Sequence, residues 1–337
     1  MATPILRAIR RRFAQAHITF LMEPNLRELV RGGGWMDECV EWPARDRRQP
    51  WHREFRSLLL ELRRQRFEWA ILLPNSLRSA LIARLAGARR RIGYDRDGRW
   101  SLLTDPVPVK NRRDGKFLPL PLVEYYADLA EAIGCERPGD RLELFTTPDC
   151  DASVQDRLSS LGIADKHPLV VISPGAKYGA AKCWLPERFA AVADRLIQEH
   201  GAAVVVTCGP GEQHIANQIG EAMCEGGLVF DDPLLTLGEL KSLIERSDLL
   251  LCNDTGPRHF AKAFDVPVVT VFGPTHTEWT RTSYQAERIV RIDVDCGPCQ
   301  QRTCPLGHLE CMTGVTVDAV FDACCGLLRS GREPVAS

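Results

Sequence analysis

In the second half of the chain, hydrophobic positions fall into short unbroken runs. These are "LVVISPG" from Leu169, "AAVVVTCG" from Ala202, "LVF" from Leu228, "LLLCND" from Leu249 and "PVVTVFGP" from Pro267. Segments with apolar residues every three or four positions separate them, and they predict helices over 186–200, 212–223, 237–246 and 257–264, with a last helix over 316–331. Continuous apolar strands alternating with amphipathic helices imply a parallel sheet covered on both faces, an α/β doubly wound domain. The first half shows the same alternation more faintly, with strands expected at 17–22, 69–74 and 91–94 and helices at 51–66, 76–86 and 121–133. Between the halves lies the polar stretch "TTPDCDASVQDRLSSLGIADKHP", expected to hold one short helix. It places an N-terminal domain over 1–150 and a C-terminal one over 165–320.

The opening, "MATPILRAIRRRF", reads as a helix already under way. Thr3 can cap it, Pro4 suits its first turn, and Ile5, Leu6, Ile9 and Phe13 form an apolar stripe opposite Arg7, Arg10, Arg11 and Arg12. A doubly wound unit needs a strand before its first helix, and none precedes this one. The expectation is that such a strand is encoded upstream of Met1; a naturally shortened, inactive protein is the competing reading.

A length of 337 residues exceeds what one core usually serves, which agrees with two domains. The formal net charge of −1 gives no global field toward nucleic acid or an anionic surface. No apolar run is long enough to span a bilayer and no signal peptide follows Met1, so the expected location is cytoplasmic. The thirteen cysteines are mostly scattered through ordinary elements, as small buried hydrophobes in a reducing compartment would be.

Ligands of doubly wound sheets bind beyond the carboxyl ends of the strands, so the residues just after each run carry the chemistry. In "NDTGPRHFAKAF", Asp254 or Thr255 could simply cap the following helix; alternatively Gly256 admits a ligand to the backbone and His259, one turn in, faces the same cleft. In "PGAKYGAAKCWLPERF", Lys177 and Lys182 could be surface charges, but Lys182 sits just before a helix N-terminus, where it could neutralise a diphosphate. Trp184 there is expected to be a packing anchor. Glu212, in "GPGEQ", either complements a helix dipole or accepts hydrogen bonds from a ribose. "CGPCQQRTCPLGHLEC" brings Cys296, Cys299, Cys304, His308 and Cys311 within a short span; the four cysteines are candidate structural zinc ligands, with a compact loop of reduced thiols or a labile disulfide as the alternatives. The triplet "DVD" at 293–295 resembles a metal-nucleotide signature but is too short to inform.

Taken in order, "MATPILRAIR", "SPGAKYGAAKCWLPERF", "CGPGE", "NDTGPRHFAKAF", "VFGPTHTEW" and "CGPCQQRTCPLGHLECM" resemble the ADP-heptose:lipopolysaccharide heptosyltransferases of glycosyltransferase family 9, nearest the heptosyltransferase II branch. The resemblance covers nearly the whole chain and is strongest over 169–320. It implies a GT-B fold, two Rossmann-like domains facing across a cleft, and metal-free inverting transfer of heptose from ADP-heptose to a lipid-linked core oligosaccharide, with no cofactor. It further implies a monomer at the inner face of the cytoplasmic membrane. By the same resemblance Lys182 contacts the diphosphate and Glu212 the adenosine ribose. Asp254 contacts the heptose, Thr255 and Gly256 supply phosphate-side contacts, and His259 lines the site; Asp254 and Lys182 are the expected catalytic residues. The family's first strand and its Gly-Asp loop, whose Asp is the proposed general base, have no counterpart after Met1. A sugar-nucleotide epimerase, or a sugar-nucleotide-binding protein without turnover, therefore remain alternatives.

Overall fold

The structure is a computed structural model that describes residues 1–43, 51–113, 116–166 and 168–330. It divides into two compact units, one of residues 1–27, 34–140 and 278–282, the other of 28–33, 141–277 and 283–337. The division falls at Asp140–Arg141, earlier than the polar stretch expected to part the domains. The reason lies in the helix within that stretch, α6 below: its Val154 and Leu158 are buried in the core of the C-terminal unit, so it belongs there.

In the N-terminal half the elements are α1 (Thr3–Arg12), β1 (Thr19–Met22), α2 (Pro24–Val30), β2 (Glu38–Glu41), α3 (Trp51–Gln65), β3 (Trp69–Leu72) and α4 (Leu77–Leu85). They continue with β4 (Arg90–Tyr94), β5 (Asp105–Val107), the two-residue strands β6 (Arg112–Arg113) and β7 (Lys116–Phe117), and α5 (Leu122–Ala132). Thr3 is the first helical residue of α1 and not its cap, while Pro4 lies in the first turn as expected. Ile5 and Ile9 sink into a core shared with Tyr94, Leu129 and Ala130. Among the described residues the parallel strands form two separate sheets, β1–β2 and β3–β4–β5, in place of one doubly wound sheet. Every residue of β1 and most of β3 is only half-buried.

The C-terminal half contains α6 (Pro148–Ser160), β8 (Leu169–Ser173), α7 (Pro186–His200), β9 (Ala203–Thr207), α8 (Gln213–Ala222), β10 (Leu228–Phe230) and α9 (Leu237–Arg246). After these come β11 (Leu249–Asn253), α10 (Gly256–Ala263), β12 (Val268–Val271), β13 (Glu287–Val290), α11 (Glu310–Thr313) and α12 (Val317–Ser330). The six strands form one parallel sheet in the order β10-β9-β8-β11-β12-β13. Residues of β8, β9, β11 and β12 are all buried, which explains their unbroken apolar runs. One face carries a cluster with Phe189, Leu196 and Phe321, the other a cluster with Leu158, Leu243 and Phe260, so helices cover both sides. The chain leaves β8 toward β9 and β10, then returns to β11 on the opposite side of β8. This reversal makes the carboxyl ends of β8 and β11 the switch point where such sheets bind ligands.

Candidate functional site

The loop after β8 runs from Pro174 to Trp184, and its two feet are tied by one side chain of the neighbouring strand. Asn253, fully buried at the end of β11, donates from its amide nitrogen to the Pro174 carbonyl (2.6 Å) and accepts from the Trp184 amide (3.2 Å). Trp184 is the expected packing anchor: it is buried, stacks edge-on with Phe189 and donates to the Val315 carbonyl. The crown of the loop leans on the cysteine-rich segment. The Tyr178 hydroxyl donates to the Gln300 carbonyl, the Ala181 amide donates to the Arg302 carbonyl, and Gly179 lies so close to Arg302 that a Cβ would meet that carbonyl at 2.4 Å. With φ near +153°, Gly179 also adopts a backbone that other residues resist.

The last residue of the short turn in this loop, Lys182, donates its Nζ to Asp254 Oδ2 at 2.5 Å. Asp254 is also buried; Thr275 donates to the same oxygen (2.8 Å) and Arg258 Nη1 to the other (3.2 Å). The structure thus unites Lys182 and Asp254 and adds Thr275 and Arg258, which the sequence did not single out. Behind them Arg258 grips Glu287 of β13 through Nε and Nη2, Lys262 Nζ reaches the same carboxylate at 2.7 Å, and Thr270 donates to it at 3.2 Å. Burial would push Glu287 up, but the Arg258 and Lys262 charges hold it below the usual glutamate range. Burial draws Lys262 below the ordinary lysine value. These five charged groups comprise three cations and two anions, so they leave one positive charge at the switch point, a field suited to an anionic ligand.

The helix-cap reading of Asp254 and Thr255 does not hold. Thr255 occupies the N-cap position of α10 in extended backbone without a side-chain cap, its hydroxyl bonds to the Asn253 carbonyl, and Asp254 is engaged as described. The first amides of α10 therefore receive no hydrogen bond from the Thr255 side chain, and a helix N-terminus left without such a cap favours anions. Gly256, at the first turn, is open: a Cβ there would meet nothing within 4 Å. His259 lies one turn in, with its Nδ1 buried and unpartnered. Its pKa is held well below the usual histidine value by burial and by the cations Arg258, Lys262 and Lys182, so the ring is neutral and able to accept or donate.

Glu212 is the N-cap residue of α8 and accepts from the Gly209 amide (3.2 Å). It lies over Gly175, where a Cβ would come within 2.0 Å of Glu212 Oε2. Only a glycine at 175 admits the carboxylate to the rim of β8 and β9. Lys177 is exposed.

The cysteine segment holds free thiols, and Cys296, Cys299, Cys304 and Cys311 line one small cavity with His308. Among the described residues no group of three or more His, Cys, Asp or Glu is arranged to hold a metal, so the zinc expectation finds no ligand set here. Backbone amides of Leu309, Leu306, Gly307 and His308 turn toward the Cys304 sulfur and lower its pKa. The "DVD" aspartates are surface residues; Asp293 pairs with Arg291.

Fold and site together define a doubly wound α/β protein with a cluster of buried charged side chains at its switch point. Glycosyltransferase family 9 (heptosyltransferase) matches residues 55–310, and the chain belongs to that family. It is 26% identical to lipopolysaccharide heptosyltransferase 2 of Salmonella typhimurium over 97% of this chain and 94% of that one. It is 34% identical to lipooligosaccharide heptosyltransferase 2 of Campylobacter jejuni over 48% of this chain, an alignment that spans about half, 51%, of that relative. Its fold matches the crystal structure of a family 9 glycosyltransferase from Veillonella parvula (TM-score 0.81, 21% identity, 98% of this chain and 93% of that one). It also matches ADP-heptose lipopolysaccharide heptosyltransferase II of E. coli (TM-score 0.77, 23% identity, 98% and 94%). The fold is thus the GT-B class that the sequence motifs implied.

Proposed function

We propose that the protein is an inverting glycosyltransferase that moves heptose from ADP-heptose onto a lipid-linked lipopolysaccharide core oligosaccharide at the cytoplasmic membrane face. One observation carries this reading: Lys182, Asp254 and the uncapped N-terminus of α10 converge at the switch point of the C-terminal sheet. In an inverting transfer the acceptor hydroxyl attacks the anomeric carbon, its proton passes to a base, and the diphosphate departs with the bonding electrons. Lys182 and the α10 amides take up the departing charge, which replaces the role a metal ion plays elsewhere. Asp254 keeps its carboxylate fixed between Lys182, Thr275 and Arg258, and its remaining acceptor capacity receives a heptose hydroxyl. Glu212, held over Gly175, receives the ribose hydroxyls.

The test is incubation with ADP-heptose and a core acceptor, following ADP release and product mass. Acceptor-dependent ADP release with an added heptose mass supports the proposal. Conversion of ADP-heptose without acceptor would indicate an epimerase, and binding without turnover a binding protein. Asp254→Asn should reduce transfer more than ADP affinity; equal losses would return Asp254 to a structural role.

A further inference from the structure

The cavity among the cysteines shares two walls with the switch-point site. Beside Cys296, Cys299, Cys304 and Cys311 it is lined by Ala181 and Pro274, which belong to the loops after β8 and β12. Ala181 immediately precedes Lys182 and Pro274 immediately precedes Thr275, so both donors to Asp254 Oδ2 are covalent neighbours of the cavity wall.

Backbone hydrogen bonds join the cysteine segment to the same two loops. The Gln300 amide donates to the Pro274 carbonyl (2.8 Å), the Gln300 carbonyl accepts from Tyr178 (2.7 Å), and the Arg302 carbonyl accepts from the Ala181 amide (3.1 Å). Gln300 and Arg302 both lie between Cys299 and Cys304, so any change in how the cavity thiols are spaced moves the groups that hold the strap. The thiols are also within reach of solvent. Cys296 is exposed, Cys299, Cys304 and Cys311 are partly exposed, and all four are free. Cys252 and Cys324 are buried and serve as small hydrophobes, but packing gives no reason for four accessible thiols around one cavity.

We propose that this cavity is a thiol–disulfide switch for the donor site: a low-molecular-weight disulfide oxidises Cys304 and a second cavity cysteine to an intramolecular disulfide, which displaces the strap and weakens nucleotide binding. The Cys304 thiolate attacks one sulfur of the small disulfide, whose S–S bond breaks and whose other half leaves as a thiol. A second cavity thiolate then attacks the Cys304 sulfur of the mixed disulfide and expels the remaining half. Two protein thiols are thereby oxidised, the small disulfide is reduced to two thiols, and the two protons pass to those thiols. Cys304 is the entry point because backbone amides turn toward its sulfur, which favours the thiolate. A disulfide holds its Cβ atoms within about 4.5 Å, so closing one across the cavity draws in the 299–304 segment and, through Gln300 and Arg302, shifts Ala181 and Pro274. Lys182 and Thr275 then leave their places on Asp254. The inference rests on the proposed function for the identity of the nucleotide, ADP.

The test treats the full chain with oxidised glutathione, maps disulfides by mass spectrometry without reduction, and measures ADP affinity by titration calorimetry before and after. Oxidation should join Cys304 to Cys296, Cys299 or Cys311 and weaken ADP binding on the order of 10- to 100-fold, the range for losing one charged hydrogen bond. Dithiothreitol should restore the affinity. Cys304→Ser should bind ADP as the reduced native chain does, which shows that it folds, and its affinity should no longer respond to oxidised glutathione. Cys224→Ser, which removes an exposed thiol away from the cavity, should respond as the native chain does. A cavity disulfide that leaves ADP affinity unchanged, a disulfide that omits Cys304, or a loss of affinity that persists in Cys304→Ser would overturn the proposal. So would thiols that react only after a chelator has removed a bound metal. A reduced chain that binds no ADP would instead refute the donor-site reading, and this inference with it.

Discussion

Replacing Glu287 by Gln keeps the side chain's shape and removes its charge, so it isolates the role of the buried ion network. In the native protein this carboxylate accepts from Arg258 Nε and Nη2, Lys262 Nζ and Thr270 Oγ1, and the side chains of Arg258 and Lys262 are at most 1% exposed. After the change three cations face one anion, Asp254, and the new amide NH2 points donors at donors. Breaking a buried pair by removing one partner costs about 3 to 5 kcal/mol. For a unit of this size, 1 kcal/mol shifts the midpoint by about 2 to 4 °C, so Tm should drop by about 6 to 20 °C. The pH dependence supplies a second mark. Glu287 sits below its usual range when folded, so its stabilisation is present above about pH 4.5 and fades as pH falls through the folded pKa. The variant should therefore trail the native protein by most at neutral pH and converge with it in acid. Scanning calorimetry at pH 7 and pH 4 measures both effects. A loss below 1 kcal/mol at pH 7, or a gap that does not shrink in acid, refutes the assignment of Glu287 as the anchor of Arg258.

Four further outcomes can be measured directly. Lys182→Ala should weaken ADP binding by about 1.5 to 3 kcal/mol, the value of a charged hydrogen bond, and unchanged affinity by titration calorimetry would remove Lys182 from the diphosphate site. Gly175→Ala should displace Glu212 and weaken ADP-heptose more than inorganic diphosphate; equal effects on the two would exclude a ribose contact. His259 has a depressed pKa, so the unfolded chain binds a proton that the folded one refuses, and stability should decline as pH falls below about 6.5. His259→Gln should flatten that part of the curve, as followed by thermal melts across pH. Cys304, with its lowered pKa and its partial exposure, should alkylate ahead of Cys252 and Cys324, whose thiols are buried and pushed up; peptide mass mapping after brief iodoacetamide treatment checks this, and labelling of either buried thiol before Cys304 would refute it.

What could be read in the chain follows from burial. The strands β8, β9, β11 and β12 are buried on both faces and so appear as unbroken apolar runs, whereas β2, β5 and β13 are short and partly exposed and carry polar residues such as Glu38, Asp105 and Glu287. The same contrast governs the site. Lys182, Glu212 and Asp254 could be singled out because they follow legible strands. Arg258 and Lys262 were missed because cations on a helix ordinarily read as solvated, and Glu287 because it lies on an edge strand that no periodicity reveals. A signal did exist: Asp254, Arg258 and Lys262 recur every fourth residue, placing two cations on one face of α10, beside buried Phe260 and Ala261, in line with an anion just ahead of its N-cap. The helix α6 reads as part of the polar connecting stretch because it shows few apolar positions, and it takes its place through just Cys150, Val154 and Leu158.

The two-way hydrogen bonding of Asn253 has a thermodynamic meaning for the loop it spans. Pro174 and Trp184 are both pinned to one amide, and Tyr178 and Ala181 are pinned at the crown to Gln300 and Arg302. Most of the configurational freedom of this stretch is thus surrendered when the chain folds. A ligand arriving at Lys182 finds the strap already ordered, and little of its binding free energy goes into immobilising backbone. Encounter with the switch point should then be a single rapid phase in stopped-flow traces, without a slower step for loop ordering.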